Sequence, residues 1–275
     1  MTPLRKEMID WMFRRGFSPR TVETYVKAAV KFAQHYGKSP ALLTEQDIVA
    51  YMDYLCQDRK LSQSSLNCAY SGIKVLWENI LDRPWPNRLL PRSRRAKTLP
   101  EVLSRAEVQD ILNALENTKH RVMLRLLYAT GLRVGELVEL KSEHIDSQRM
   151  VIRVQRGKGK KDRYALLSEQ LLAELRLYWT IYRPQVFLFE GALPGTPVSI
   201  RTVQQVFYNA CDRCAIRRKV GVHVLRHCFA THLLEQGVDP FVLKTLMGHT
   251  QMSTTARYVH IEQTHLHQVP NLLQA

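Results

Sequence analysis

Apolar side chains recur at the spacing of an α-helix through the first part of the chain. Leu4, Met8, Trp11 and Met12 lie at i, i+4, i+7 and i+8, and Thr2-Pro3 supplies an N-cap followed by proline at the first helical position. Gly16 ends that stretch. Ser18-Pro19 begins another, which carries Val22, Tyr25, Val26, Ala29, Phe32 and Ala33 on one face and stops at Gly37. A third helix is predicted from Thr44 to about Leu55, and a fourth opens at Ser62 with Leu66, Ala69, Tyr70, Ile73, Leu76, Trp77 and Ile80 on its apolar face. Four short amphipathic helices of this kind predict a small bundle.

After Asp82 the character changes. Pro84, Pro86, Pro91 and Pro100 forbid a continuous helix, and Arg83, Arg88, Arg92, Arg94, Arg95 and Lys97 have no acidic neighbour. This predicts an extended basic linker, set at residues 91–103 between a helical domain at 1–90 and a second domain at 104–275. In the second domain, Ser104 with Glu107 predicts a capped helix through Leu115, and another helix spans about Arg121 to Tyr128. Val151-Ile152-Arg153-Val154 and Arg163-Tyr164-Ala165-Leu166-Leu167 alternate as two strands around the turn Gly157-Lys158-Gly159-Lys160. Helices follow at Glu169–Tyr182, Ile200–Ala215 and His223–Gln236, with a short one ending near Tyr258. The fold class expected is mainly α with a small antiparallel β-sheet: a four-helix N-terminal domain joined to an α+β domain.

The composition of the 275 residues, 45% hydrophobic and 24% charged, is that of an ordinary globular protein. The longest apolar runs, such as Leu126-Leu127-Tyr128-Ala129, fall far short of a membrane span. The N-terminus has no apolar leader, so a cytoplasmic location is expected, in a bacterial cytosol or nucleoid. Cys56, Cys68, Cys211, Cys214 and Cys228 are an odd, scattered set, which favours reduced thiols. The net charge of +15 changes the picture most, because Lys and Arg in such excess point to a polyanionic partner. It is shared by both halves, +8 over residues 1–100 and +7 over 101–275, and is therefore no detachable tail.

Four segments carry candidate chemistry. Arg133 follows a glycine-containing bend in Thr130-Gly131-Leu132-Arg133-Val134-Gly135-Glu136, and arginine forks two donors onto two phosphate oxygens. Lys158 stands at the tip of the hairpin turn. His223 and Arg226, at i and i+3 on a helix start, can reach one phosphate. His249 opens the fourth segment and Tyr258 follows it by nine residues, enough for a short loop and two helical turns to aim both at one site. Each element alone has an everyday explanation; their joint occurrence in this order is what points to a site.

An arginine box, a hairpin lysine, His-x-x-Arg, then Gly-His and a tyrosine is the motif order of the tyrosine recombinase (integrase) family, and the sequence clearly resembles that family. Arg133, Lys158, His223 with Arg226, His249 and Tyr258 occupy its positions, and phrases such as Gly16-Phe17-Ser18-Pro19-Arg20-Thr21 extend the likeness to the helices that resemble its core-binding domain. The resemblance implies attack of Tyr258 on a DNA backbone phosphate, giving a 3′-phosphotyrosine and a free 5′-hydroxyl, with the bond energy retained and no cofactor needed. A phenol with a pKa of about 10 is ionised roughly once in a thousand at neutral pH, so a proton acceptor is needed. His223 is implied for that role, Lys158 as the general acid for the departing 5′-oxygen, Arg133 and Arg226 as stabilisers of the non-bridging oxygens, and His249 as a further hydrogen-bond donor. Glu136 is placed to hold Arg133, or else forms a purely structural salt bridge. Arg92, Arg94, Arg95, Lys160, Lys161 and Arg163 are expected to contact DNA backbone phosphates.

The resemblance also sets the expected partners: double-stranded DNA recombination sites, with self-association to a dimer and a tetramer on DNA and no membrane. The residues after Tyr258, including Ile261, Leu266, Val269 and Leu272-Leu273, are expected to dock on a neighbouring subunit. No separate arm-binding domain and no integron-type insertion are expected, which leaves chromosome-dimer or plasmid resolvases and integrases of mobile elements, the last being preferred. Cys211-x-x-Cys214 with His223 and His227 has the donor types of a zinc site, but the gap is short for a finger and a ββα pattern is missing, so no metal is expected. His265-Leu266-His267 has the look of a relaxase metal site yet lies beyond Tyr258, and a polar tail is the simpler reading. A noncatalytic DNA-binding protein on the same scaffold and a type IB topoisomerase stay open as alternatives. Cys228, where relatives often carry a small hydroxyl residue, is read as packing.

Overall fold

A computed structural model describes residues 2–89, 101–155 and 162–248 of the chain. The chain divides into two compact units, Met1–Lys97 and Thr98–Ala275.

The first unit is built from α1 (Pro3–Arg14), α2 (Pro19–Tyr36), α3 (Glu45–Gln57) and α4 (Gln63–Asn79). Each start is fixed by a side-chain oxygen that takes a backbone N–H otherwise left without a partner: Thr2, Ser18, Thr44 and Ser62, with Asp47 closing a reciprocal capping box at Thr44. Two apolar clusters fill the interior. Met8, Met12, Val22, Val26, Ala29 and Leu76 form one, and Phe32, Ile48, Tyr51, Leu55, Leu66, Ile73, Trp77 and Trp85 are members of the other. Gly72 lets α4 close on α2, since a Cβ there would lie 2.8 Å from the Tyr25 carbonyl oxygen and 2.9 Å from the Ala28 Cβ.

The stretch after Asp82 begins inside this unit and not in a linker. Trp85 is buried, the Trp77 indole N–H donates to the Pro84 carbonyl, and the Arg83 guanidinium donates to the carbonyls of Leu43 (2.8 Å) and Ala41 (2.7 Å). At the far end, Leu103, within the span 91–103, is fully buried in the second unit. The Leu103 backbone meets the Cys228 thiol, which accepts from its N–H at 3.3 Å and faces its carbonyl at 3.6 Å; burial pushes that thiol up to about 11.

The second unit wraps helices around a central one. α5 (Arg105–Asn113) starts at the Ser104–Glu107 capping box, and α6 (Thr118–Thr130), capped by Asn117, begins three residues ahead of the expected position. α6 buries Val122, Met123, Leu124, Leu126 and Leu127 and packs against α8 (Glu169–Tyr182), α9 (Ile200–Arg213) and α10 (Val224–Leu234). Between α6 and α8 come a single-turn helix, α7 (Val134–Val138), and an antiparallel sheet in the order β1 (Ile145–Asp146), β2 (Val151–Val154), β3 (Arg163–Leu166). The β2–β3 register pairs Ile152 with Ala165 and Val154 with Arg163, so these four share one face. That face is the buried one for Ile152, Val154 and Ala165. α11 (Pro240–Met247), absent from the expected elements, is capped by Asp239 and ends at Gly248 in the left-handed conformation. Among the described residues, no helix is long and apolar enough to cross a membrane.

Candidate active site

The arginine box is shaped by a glycine. Gly131 ends α6 with φ +61°, and a Cβ at that position would fall 2.4 Å from the Phe229 ring, so only glycine satisfies both the turn and the packing. Two residues on, Arg133 is the N-cap of α7 in an extended conformation. Its backbone N–H donates to Oε2 of Glu136 at 2.8 Å and its Nη1 to Oε1 at 2.7 Å. The Arg133 side chain remains a quarter exposed, while Glu136 is only 7% exposed. The ion pair between Arg133 and Glu136 read from the i, i+3 spacing is therefore formed, with the carboxylate inside and the guanidinium at the rim.

Arg226 sits two residues into α10 and is 2% exposed. An arginine so deep requires hydrogen-bond partners for its donors. Nη1 donates to the Gly131 carbonyl and Nη2 to the Met247 carbonyl at 2.6 Å. The side chain thus fastens the bend before Arg133 to the end of α11, immediately before His249. His223, the N-cap of α10, stands with its ring in T-shaped contact with His227, at 4.9 Å between centroids. His223 is exposed as a residue, and its ring is partly desolvated by the protein around it. That desolvation, followed by the charges of Arg226 and Arg133, holds its pKa below the usual 6.5; the Glu136 charge opposes this more weakly. The shift favours the neutral imidazole, the form that can accept a proton.

Arg163 differs from its expected place among the phosphate contacts. Its side chain is 9% exposed, and both terminal nitrogens pair with Glu136, Nη1 with Oε1 at 2.9 Å and Nη2 with Oε2 at 2.8 Å. Its Nε donates to the Leu246 carbonyl at 3.1 Å. Burial would raise the Glu136 carboxyl, but the Arg163 hydrogen bonds and charge, and then those of Arg133, overcome it and hold the group at about 2. The expectation had followed charge; the strand period of two, which puts Arg163 on the face of buried Ala165, is the signal that points it inward.

Lys158, His249, Tyr258, Arg92, Arg94, Arg95, Lys160 and Lys161 lie outside the described residues, as does the tail that follows Tyr258. Cys211 is buried in the second unit's core, with its thiol raised to about 11 by burial, and Cys214 caps α9. Among the described residues, no three His, Cys, Asp or Glu side chains gather as a metal site.

What is assembled is a hydrogen-bonded circuit that runs Gly131, Arg226, Met247 and Leu246, Arg163, Glu136, Arg133, with the His223 imidazole in electrostatic range of Arg133 and Arg226. Three guanidinium groups against one carboxylate leave net positive charge at a partly open rim, suited to a tetrahedral oxyanion. The arrangement stands on a helical scaffold with a three-stranded sheet.

The comparisons with known proteins agree. The pattern of the Phage integrase family matches residues 101–265, and that of the Phage integrase, N-terminal SAM-like domain matches residues 4–87. A putative integrase/recombinase of Sinorhizobium fredii, y4qK, is 42% identical over 262 residues, covering 95% of this chain and 85% of its own. Tyrosine recombinase XerC of Lactobacillus leichmannii is 31% identical over 274 residues, 92% of each. Among solved structures, XerA recombinase aligns over 98% of both chains at 27% identity and a TM-score of 0.58. A lambda integrase fragment, solved as a dimer bound to a COC′ core site, shares the fold at 19% identity, with a TM-score of 0.74 over 93% of each chain. The chain belongs to the phage integrase family of tyrosine recombinases. It is a tyrosine-type site-specific DNA recombinase, an enzyme that breaks and rejoins DNA strands through a phosphotyrosine link.

Proposed function

We propose that Tyr258 is the nucleophile of this recombinase and that the circuit around Arg133 and Arg226 holds the scissile phosphate. The phenol oxygen bonds to phosphorus, the bond from phosphorus to the 5′-oxygen breaks, and the 3′-phosphoryl group stays on the enzyme. His223 takes the phenol proton, for which its lowered pKa suits it, and Lys158 gives a proton to the departing 5′-oxygen. Arg133 and Arg226 face the charge that grows on the non-bridging oxygens, His249 adds a hydrogen bond, and rejoining reverses each transfer. The observation that carries this reading is the circuit itself, which brings Arg133 and Arg226, 93 residues apart, into electrostatic range of the one imidazole.

The proposed partner is a double-stranded DNA recombination site, clamped by two protomers and synapsed by four, with the segment after Tyr258 docked on a neighbouring subunit. Arg92, Arg94, Arg95, Lys160 and Lys161 are proposed to meet backbone phosphates. A role on a mobile element in a bacterial cytosol fits best, and the likeness to the Sinorhizobium fredii integrase/recombinase supports it. The test is a nicked duplex from which the short fragment bearing the new 5′-hydroxyl escapes. Wild type is expected to accumulate a covalent complex, in EDTA as in magnesium because the arginines and Lys158 supply the positive charge, and Tyr258→Phe to form none. Equal trapping by Tyr258→Phe, or a strict demand for a divalent ion, refutes the assignment.

A further inference from the structure

Arg163 occupies a position that charge alone would give to DNA. It lies on the inner face of β3 opposite Val154, two residues from fully enclosed Ala165, and its three hydrogen bonds reach two other segments. One of these is Glu136 in the helix that begins at Arg133. The other is the end of α11, where Nε holds the Leu246 carbonyl at 3.1 Å and where a Cβ on Gly248 would strike the Arg163 Cδ at 2.7 Å. Gly248, with φ +61°, is the last residue before His249.

The charge balance gives this geometry a consequence. A buried carboxylate paired with Arg133 alone would neutralise the guanidinium intended for phosphate and draw it toward a two-pronged pair. Arg163 instead engages both Glu136 oxygens, and among the described residues Arg133 reaches the carboxylate through Nη1 and its backbone N–H. One negative charge is thereby shared between two cations, and Arg133 keeps a net positive field at the rim.

We propose that Arg163 is a positioning residue of the recombination reaction. By saturating Glu136 it fixes Arg133 without neutralising it, and through Leu246 and Gly248 it ties the arginine box to the segment that carries His249. The inference rests on the reading of Arg133 as the phosphate-binding residue, and the experiment separates the two. Full-length wild type, Arg163→Gln, Arg163→Lys, Glu136→Gln/Arg163→Gln and Arg133→Lys are compared on a nicked duplex that wild type has selected from a random-sequence pool. Covalent trapping is measured in a single turnover at saturating protein, and affinity is measured across salt.

Arg163→Gln is expected to trap about 10-fold or more slowly at saturation, with affinity and salt slope unchanged, because Arg163 itself meets no phosphate and the displaced Arg133 keeps its charge. The double variant, which removes the carboxylate as well, is expected to regain at least about 3-fold of that loss, since nothing then competes for Arg133. Arg163→Lys keeps the charge but has a single point of attachment, and is expected to fall between Arg163→Gln and wild type. If Arg163→Gln does not fold, slower trapping by Arg163→Lys at an unchanged salt slope carries the same weight. Wild-type trapping at saturation, with weaker binding and a salt slope shallower by about one, would overturn the proposal in favour of a phosphate contact. A double variant no faster than Arg163→Gln overturns it in favour of a purely structural pair. If Arg133→Lys traps at the wild-type rate, the underlying assignment of Arg133 has failed instead.

Discussion

Replacing Glu136 with glutamine asks how much of the site's order comes from one charge. Glu136 accepts four hydrogen bonds, two from Arg163 at 2.8 and 2.9 Å and two from Arg133 at 2.7 and 2.8 Å, in a setting where it is 7% exposed. Desolvation works against the carboxylate, yet the Arg163 and Arg133 interactions prevail and take its pKa from 4.5 to about 2. A carboxyl with those two values, unfolded and folded, favours the folded state by about 3 kcal/mol at neutral pH. Because the folded value is the lower one, this contribution is complete above the unfolded value of 4.5 and is lost as the pH falls toward 2.

Glu136→Gln keeps the shape, but it has one acceptor oxygen and turns an amide N–H₂ toward a guanidinium. Two cations are then left sharing a buried site, a loss in the range of about 3–5 kcal/mol found when one partner of a buried pair is removed. The expected destabilisation at pH 7 is about 3 kcal/mol, concentrated in the second unit. Urea unfolding of the full chain between about pH 3 and pH 7 measures it, with hydrogen exchange in peptides from α6 and α10 reporting that unit separately. The gap between wild type and variant should close as the solution is acidified below about pH 4.5. A gap of the same size at acid and neutral pH would mean that packing and not charge is responsible, and no gap at pH 7 would refute the pair's role altogether.

Two further outcomes follow from the same neighbourhood. Gly131→Ala places a methyl 2.4 Å from the Phe229 ring at a φ of +61°, and should cost about 2–3 kcal/mol in unfolding experiments and disturb the Arg226 hydrogen bond to the same residue. Single-turnover cleavage should fall on acidification as His223 gains a proton, on a limb centred below the usual 6.5. Arg133→Gln, which removes one of the charges that depress the imidazole, should move that limb upward, and a limb unmoved by the substitution would count against His223 as the proton acceptor.

Helices in this chain were legible where an apolar stripe coincided with a cap. The four of the first unit appear within two residues of their expected ends, because Thr2, Ser18, Thr44 and Ser62 are all true caps. Misses occurred where one of the two signals was weak. Asp239-Pro240 is a strong start, but α11 spans eight residues and leaves Phe241 and Val242 exposed, so no apolar stripe marks it. β1 is two residues long and carries no periodicity at all. Leu103 fell within the expected linker because Val102-Leu103 is too short an apolar run to show a period; its backbone meets Cys228, 125 residues away.

The site was legible as a set of residue types and much less so as a set of roles. The spacing of Arg133 and Glu136 gives away their ion pair because three residues bring two side chains together at a helix start. The second guanidinium on Glu136 comes from 27 residues away, and only the tertiary fold reveals it. The same blindness affects the +15 net charge, which treats every cation as free to meet a phosphate. Arg83 is spent on the carbonyls of Leu43 and Ala41, Arg163 on Glu136, Arg218 on Glu107 and the Val102 carbonyl, and Arg226 on Gly131 and Met247. Arg83, Arg163 and Arg218 all sit in basic runs: the stretch after Asp82, the hairpin up to Arg163, and Arg213–Lys219. Counterion release counts only cations that reach the backbone, so the salt dependence of DNA binding must be set by fewer charges than the composition suggests. Arg163 and Arg226 act on the protein instead, and under the proposed reading they serve the DNA by fixing where Arg133 meets the reacting phosphate.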